Sequence, residues 1–129
     1  MRSARLALYV HIPFCPAKCP YCDFNAYAGL EALTAPYVDA LIADIALWRE
    51  PTRDASLTTV FFGGGTPSLL TADQLGRILK ACRDAFAVWE GPSASPIEIT
   101  LEANPGTIDR EKLAALRAAG FNRLSLGAQ

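Results

Sequence analysis

Apolar and polar residues follow one another along this 129-residue chain in blocks that predict four strands separated by three helices. The predicted strands lie at residues 6–12, 58–62, 97–105 and 121–129. The first two contain the continuous apolar runs LALYVHI and TTVFF, which are typical of strands buried on both faces. The third alternates, so Ile97, Ile99 and Leu101 share one face, and Glu98, Thr100 and Glu102 share the other.

The first predicted helix begins near Pro36, which suits the first turn, with Thr34 or Ala35 near the N-cap. Pro51 follows its end, and residues 51–57 are predicted to be a polar connection. The apolar side chains recur at helical spacing and predict a face packed in the core. This face comprises Tyr37, Val38, Leu41, Ile42, Ile45 and Trp48.

The second and third predicted helices carry clear local start and stop signals. Thr71 and Gln74 have the spacing of a capping box, and either Asp109 or Thr107 caps the third helix. Gly120 is expected just past the end of that helix, as its C′ residue. The core face of the second helix comprises Leu75, Ile78, Leu79, Cys82 and Phe86, and that of the third comprises Leu113, Leu116 and Ala119.

The alternation of strands and helices predicts right-handed βαβ units and a parallel sheet, hence an α/β fold. Candidate functional residues follow each predicted strand, at the sheet edge where parallel α/β folds bind ligands. These candidates are Cys15, Cys19 and Cys22, then Gly63 to Pro67, then Glu102 and Asn104, and finally Gln129. This placement predicts one site assembled from several strand ends.

Composition narrows the class of protein. The chain carries 12 basic and 13 acidic residues, giving a net charge of −1, and charged residues are 19% of the total. They are interspersed, so no basic surface for nucleic acid is indicated. The apolar runs are far shorter than the ~20 residues of a membrane-spanning helix. A cytoplasmic location is expected, because clustered reduced cysteines persist there.

Three of the four cysteines lie close together, with spacing Cys-x3-Cys-x2-Cys at residues 15, 19 and 22. Thiolates at such spacing hold iron–sulfur clusters, and three ligands for a four-iron cluster leave one iron open for chemistry. A zinc site or a disulfide pair is the structural alternative. Cys82 is assigned to the core. His11, the only histidine, is interpreted as a core or supporting residue.

The Gly63–Gly65 run brings backbone close to a neighbouring group, and we expect its N–H groups to lie against a ligand. A phosphate loop is disfavoured because neither the GKS/GKT ending nor GxGxxG spacing is present. A tight turn from strand to helix remains an alternative. Glu102, at the end of the third strand, is either a site residue or a surface residue.

The motifs YVHIPFCPAKCPYCDF, FFGGGTPS, EITLEANPGT and RLSLGAQ, in this order, resemble the radical S-adenosylmethionine superfamily. YVHIPFC makes the chain similar to the oxygen-independent coproporphyrinogen III oxidase family. True oxidases carry another cysteine two residues after the third, whereas this chain has Phe24. Phe24 matches the heme chaperone branch.

The resemblance implies that Cys15, Cys19 and Cys22 ligate a [4Fe–4S] cluster and that S-adenosylmethionine binds beside it. The positions that match S-adenosylmethionine contacts in the family are Tyr9, Tyr21, Gly64, Gly65, Thr66, Glu102 and Gln129. The mechanism implied is reductive cleavage of S-adenosylmethionine to methionine and a 5′-deoxyadenosyl radical. No residue of this chain is assigned a separate catalytic role.

The resemblance also implies that residues 1–129 are the N-terminal part of a radical S-adenosylmethionine core domain. About three and a half βα units of a partial (β/α) barrel would be present, with the remaining barrel and a C-terminal domain absent, and the fragment alone is expected to be inactive. Heme, heme-accepting proteins and an electron donor are the further ligands and partners implied for the full-length protein. The alternatives are a coproporphyrinogen oxidase, a binding protein that does not cleave S-adenosylmethionine, and a zinc-stabilised non-catalytic module.

Overall fold

The structure is a computed structural model that describes residues 4–15, 27–28, 31–89 and 96–127. The four predicted strands and the three predicted helices are all present, together with three further strands of two residues each. The strands are β1 (Ala4–Ile12), β2 (Phe14–Cys15), β3 (Tyr27–Ala28), β4 (Ala55–Gly64), β5 (Ala87–Val88), β6 (Glu98–Ala103) and β7 (Arg123–Leu126). The helices are α1 (Thr34–Leu47), α2 (Ala72–Ala85) and α3 (Arg110–Ala119).

The main sheet is parallel, with the strand order β1-β4-β6-β7, and the short β5 also pairs with β4. The predicted parallel α/β fold is therefore confirmed. Within the described ranges the sheet is open, with β1 and β7 at its two ends. All four long strands consequently point their carboxyl ends to one edge.

One face of the sheet is apolar and packs against the helices. Val10, Phe62, Leu101 and Leu124 lie in register across the four strands, and the first three are at most 3% exposed. Side chains from all three helices join this core, including Val38, Ile45, Leu75, Ile78, Leu79, Cys82 and Leu116. Burial of these apolar side chains is the main favourable term in folding, because it removes hydrocarbon surface from water.

The opposite face of the sheet is more polar. Tyr9 is paired in register with Phe61, which is paired with Thr100 and through it with Arg123. Tyr9 is 54% exposed, so the expectation that the first strand is buried on both faces is wrong. The physical reason is that, among the described elements, the helices cover only the side of β1 that carries Val10.

Two details of the first half of the chain also differ from expectation. Trp48 is 51% exposed rather than in the core, because α1 ends at Leu47 and Trp48 is already its C-cap. The helix itself starts at Thr34 after a short 3₁₀ turn, with Leu33 as N-cap. Residues 55–57 are buried in β4, not in a polar connection, because they pair with residues 4–6 of β1.

The other local signals are confirmed. Thr71 and Gln74 form both hydrogen bonds of a capping box at the start of α2. The Asp109 side chain accepts a hydrogen bond from the Lys112 amide at 2.8 Å and so caps α3. Gly120 ends α3 with a φ of +121°, a conformation that residues with a Cβ rarely adopt.

Candidate functional site

The carboxyl edge of the sheet brings three of the predicted site segments into direct contact. The Gly64 amide donates a hydrogen bond to Glu102 Oε1 at 3.2 Å, which links the ends of β4 and β6. The Thr66 amide donates to the carbonyl of Phe14, the residue before Cys15, at 2.6 Å. The glycine-rich loop, the strand-end glutamate and the first cysteine of the motif are therefore neighbours.

Each glycine of the loop lies against a different neighbour. A Cβ on Gly63 would stand 2.6 Å from Glu102 Oε1. Gly64 has a φ of +119°, and a Cβ there would stand 2.6 Å from the Ile12 carbonyl oxygen. A Cβ on Gly65 would stand 2.9 Å from the carbonyl carbon of Phe14. Close packing against the Glu102 side chain at Gly63, and against backbone at Gly64 and Gly65, therefore explains the triple glycine.

The expectation that the glycine N–H groups face a ligand is wrong for Gly64 and Gly65, and the amide of the following residue, Thr66, is also bonded within the chain. Gly64 donates to Glu102. Gly65 donates to the Ile12 carbonyl at 2.7 Å, and Thr66 donates to that of Phe14. The amides hold the loop against β1 and β6, so their hydrogen bonds are already made within the protein.

Tyr9 and His11 lie on the polar face of β1, beside Glu102. The Tyr9 hydroxyl and His11 Nδ1 are hydrogen-bonded at 3.1 Å, and the Tyr9 ring stacks on Phe61 with a centroid distance of 6.1 Å. The pKa of Tyr9 is raised, first by burial and then by the negative charge of Glu102. The hydroxyl of Tyr9 is therefore a protonated hydrogen-bonding group at neutral pH.

Cys15 is 7% exposed and lies in β2, which pairs with β3 through Phe14 with Tyr27 and Cys15 with Ala28. These pairs bracket the part of the sequence that carries the other two cysteines of the motif. Cys19, Cys22, Tyr21, Phe24 and Gln129 lie outside the described residues. In the described part of the chain, no three metal-binding side chains form a group, so the metal site stays a prediction.

Cys82 behaves as a core residue, as its helical spacing predicts. It is fully buried in α2, and burial raises the pKa of its thiol to about 12. A thiol that stays protonated is a poor metal ligand, because thiolates bind metal.

One polar cluster at this edge was not predicted from the sequence. The hydroxyls of Ser68 and Thr107 are hydrogen-bonded to each other, and the backbone amide of Asn104 donates to Ser68 Oγ at 3.2 Å. Lys112 Nζ donates to the carbonyl oxygens of Ser68 and Thr107.

Burial lowers the pKa of Lys112, and Asp109 partly offsets that effect. The cluster ties the segment after the glycine-rich loop to the segment after β6. The available sequence signal is the proline that opens each of these two turns, Pro67 and Pro105.

The site therefore belongs to a parallel α/β protein that gathers a cysteine, a glycine-rich loop and a glutamate at the carboxyl edge of its sheet. The sequence profile described as the Radical SAM superfamily matches residues 9–129. The chain belongs to this superfamily, and the resemblance seen in its motifs is confirmed. Membership implies S-adenosylmethionine and a [4Fe–4S] cluster as cofactors.

Among curated proteins, the chain is 39% identical to "Heme chaperone HemW" from Haemophilus influenzae, with 96% of this chain and 32% of that protein aligned. It is 41% identical to "Heme chaperone HemW" from Escherichia coli, with the same shares aligned. The chain thus spans about a third of the length of these relatives.

A solved structure of coproporphyrinogen III oxidase (HemN) from Escherichia coli, described as a radical SAM enzyme, has a similar fold. The TM-score is 0.83 at 33% identity, and the match covers 100% of this chain and 29% of that one. The part of the present chain that the structure describes contains no helix with the length and apolarity needed to cross a membrane.

Proposed function

We propose that this chain is the N-terminal part of the cluster- and S-adenosylmethionine-binding core of a heme chaperone. The observation that carries the proposal is the identity of 39% and 41%, over 96% of the chain, to two proteins named as heme chaperones. The sheet edge that joins Cys15, the glycine-rich loop and Glu102 supports it, because it offers a thiol and a carboxylate on adjoining segments.

The [4Fe–4S] cluster is proposed to be held by Cys15, Cys19 and Cys22. The structure supports the fit at the first of these ligands: Cys15 directly follows Phe14, whose carbonyl is hydrogen-bonded to the glycine-rich loop. Three soft thiolates suit iron–sulfur chemistry, and a fourth iron without a protein ligand suits a bound cofactor. When bound, the reduced cluster supplies an electron to S-adenosylmethionine, which is the source of radical chemistry in this superfamily.

S-adenosylmethionine is proposed to contact Tyr9, Tyr21, Gly64, Gly65, Thr66, Glu102 and Gln129. Of these, Glu102 has the clearest electrostatic role. Its Oε1 accepts a hydrogen bond from the Gly64 amide, and the carboxylate lies at the strand end beside the loop. The other carboxylate oxygen is proposed to attract the ammonium or hydroxyl groups of the cofactor. The aromatic ring of Tyr9, stacked on Phe61, adds an apolar wall to the same face.

A coproporphyrinogen III oxidase is the second candidate, favoured by the structural similarity to HemN. Phe24 argues against it, because the resembled oxidases have a cysteine at that position. The proposed heme chaperone would work in the cytoplasm, with heme-accepting proteins and an electron donor as its partners. A zinc-stabilised module without radical chemistry remains the outcome to exclude by metal analysis.

The first experiment measures iron, acid-labile sulfide and zinc after anaerobic reconstitution. Wild type and Cys82→Ala should both hold a [4Fe–4S] cluster, because Cys82 is buried in α2 away from the motif. Cys19→Ala should lose it. Zinc without sulfide in the wild type would overturn the proposal.

Heme chemistry needs a separate measurement on the cluster-loaded full-length protein. Heme binding followed by transfer to an apo-hemoprotein is expected for a chaperone, whereas decarboxylation of coproporphyrinogen III would identify an oxidase. Detection of 5′-deoxyadenosine decides in parallel whether S-adenosylmethionine is cleaved or only bound.

A further inference from the structure

The backbone that enters the cysteine motif is fixed from two sides. On one side is the glycine-rich loop, where the amides of Gly65 and Thr66 donate to the carbonyls of Ile12 and Phe14 at 2.7 and 2.6 Å. These bonds define the distance between the loop and the strand that ends at Cys15. They are made by backbone groups, so no side chain takes part in them directly.

On the other side is α1. Tyr37 lies in its first turn, which the βαβ topology places at the carboxyl edge of the sheet. Its hydroxyl donates a hydrogen bond to the carbonyl oxygen of His11. Its ring meets the ring of Phe14 edge to face, with a centroid distance of 5.4 Å and an interplanar angle of 89°.

Tyr37 therefore contacts the backbone four residues before Cys15 and the side chain one residue before it. Phe14 is 5% exposed, so its ring cannot move without disturbing the packing around it. Burial, with smaller contributions from Tyr9 and Asp44, raises the pKa of Tyr37 above its usual 10.0. The hydroxyl is thus protonated and able to donate at neutral pH.

We propose that Tyr37 is a positioning residue for the cluster: it holds the strand that delivers the Cys15 thiol, although it does not itself bind metal. This inference rests on the proposed function, because it takes Cys15 as a cluster ligand. Residues that orient metal ligands from outside the coordination sphere commonly affect how tightly the metal is held. Tyr37 would act in this way through the backbone of residues 11–14.

The chain provides a matched control on the same strand. The Thr58 hydroxyl donates to the carbonyl of Leu6 at 2.9 Å. Leu6 and His11 are five residues apart on β1, which corresponds to about 16 Å in an extended strand. Thr58→Val and Tyr37→Phe each remove one hydroxyl-to-carbonyl bond from β1, but only the second does so next to the cysteine motif.

The experiment compares wild type, Tyr37→Phe and Thr58→Val with two measurements. In the metal-free protein, alkylation of Cys15 is followed by mass spectrometry, with Cys82 as the internal reference. Trypsin cleaves after Lys18 and so separates the peptide containing Cys15 from the other cysteines of the motif. In the reconstituted protein, loss of the cluster to a chelator is followed by its absorbance.

Tyr37→Phe is expected to accelerate both Cys15 alkylation and cluster loss about fivefold, the factor that corresponds to one neutral hydrogen bond. Thr58→Val should leave both rates at the wild-type value. Equal rates for Tyr37→Phe and wild type, or equal acceleration by both variants, would overturn the inference. A wild-type protein that takes up no cluster would instead refute the proposed function, so the two failures are distinguishable.

Discussion

Gly65→Ala tests whether the glycine-rich loop packs directly against the strand that carries Cys15. A Cβ at this position would stand 2.9 Å from the carbonyl carbon of Phe14 and closer still to its oxygen. The neighbouring atoms belong to the backbone, so no side-chain rotation relieves the clash. Either the loop or residues 12–15 must move.

The expected cost follows from three contributions. Overpacking of a tight site costs about 1–3 kcal/mol. Moving the loop weakens the bond from the Thr66 amide to Phe14, a loss of about 1 kcal/mol. The reduced entropy of the unfolded chain returns about 0.4–1 kcal/mol. The net loss in the free energy of unfolding is therefore about 2 kcal/mol.

Urea unfolding of the metal-free protein, followed by far-ultraviolet circular dichroism, measures this difference. With a slope of about 2 kcal/mol per molar urea, the midpoint should fall by about 1 M. Gly76→Ala is the control, because Gly76 lies within α2 and its added Cβ would meet only the Ala119 Cβ at 3.5 Å, an ordinary contact. That variant should gain about 0.5–1 kcal/mol from helix propensity.

A Gly65→Ala protein within about 0.5 kcal/mol of the wild type, the range of an inconsequential surface substitution, would refute the packing argument. The result is informative whatever the cofactor, because unfolding is measured without metal. If the variant is destabilised as expected and also loses its cluster after reconstitution, loop packing and cluster retention are linked.

Three further predictions concern the charged and titratable groups. Burial raises the pKa of the Cys82 thiol from 9.0 to about 12. The unfolded thiol ionises first, so stability should fall above pH 9 by up to about 1.4 kcal/mol per pH unit until the folded thiol also ionises. Cys82→Val should remove this loss, and an unchanged pH profile in urea unfolding would contradict it. Glu102→Gln should lower the pKa of Tyr9 but leave it above the usual 10.0, because burial is the larger cause. Phenolate absorbance, with Tyr9→Phe as the reference, measures this shift, and no shift would show that the two groups do not interact. Lys112→Met should cost about 1–3 kcal/mol, because it removes a donor from two carbonyl oxygens. Lys80→Met should cost less than about 0.5 kcal/mol, because its pair with Asp84 is largely exposed, and equal costs would refute the difference.

Local patterns in the sequence determined much of the fold. The capping box at Thr71 and the cap at Asp109 depend on residues three positions apart, so their geometry follows once a helix forms. The alternation of Ile99 and Leu101 with Thr100 and Glu102 likewise predicts the two faces of β6. The order of these elements then implies the parallel sheet and the edge where the site residues gather.

The same local reasoning misjudged residues whose environment depends on neighbours distant in the sequence. Tyr9 lies in an apolar run, yet its side chain is more than half exposed, because the helices cover the other face of β1. Trp48 continues the spacing of the core face but falls just beyond the last residue of α1. Periodicity predicts that a face exists, but it does not indicate which side of a sheet the helices cover.

The sequence by itself therefore supplied the candidate groups for the site: the three-cysteine spacing, the glycine-rich loop and Glu102. Only the tertiary structure decided what these groups do to one another. It assigned the amides of Gly64 and Gly65 to Glu102 and Ile12, and it brought Tyr37 to the carbonyl of His11, 26 residues earlier. Hydrogen bonds of this kind join residues whose separation along the chain has no period, so they are set by how the strands and helices pack.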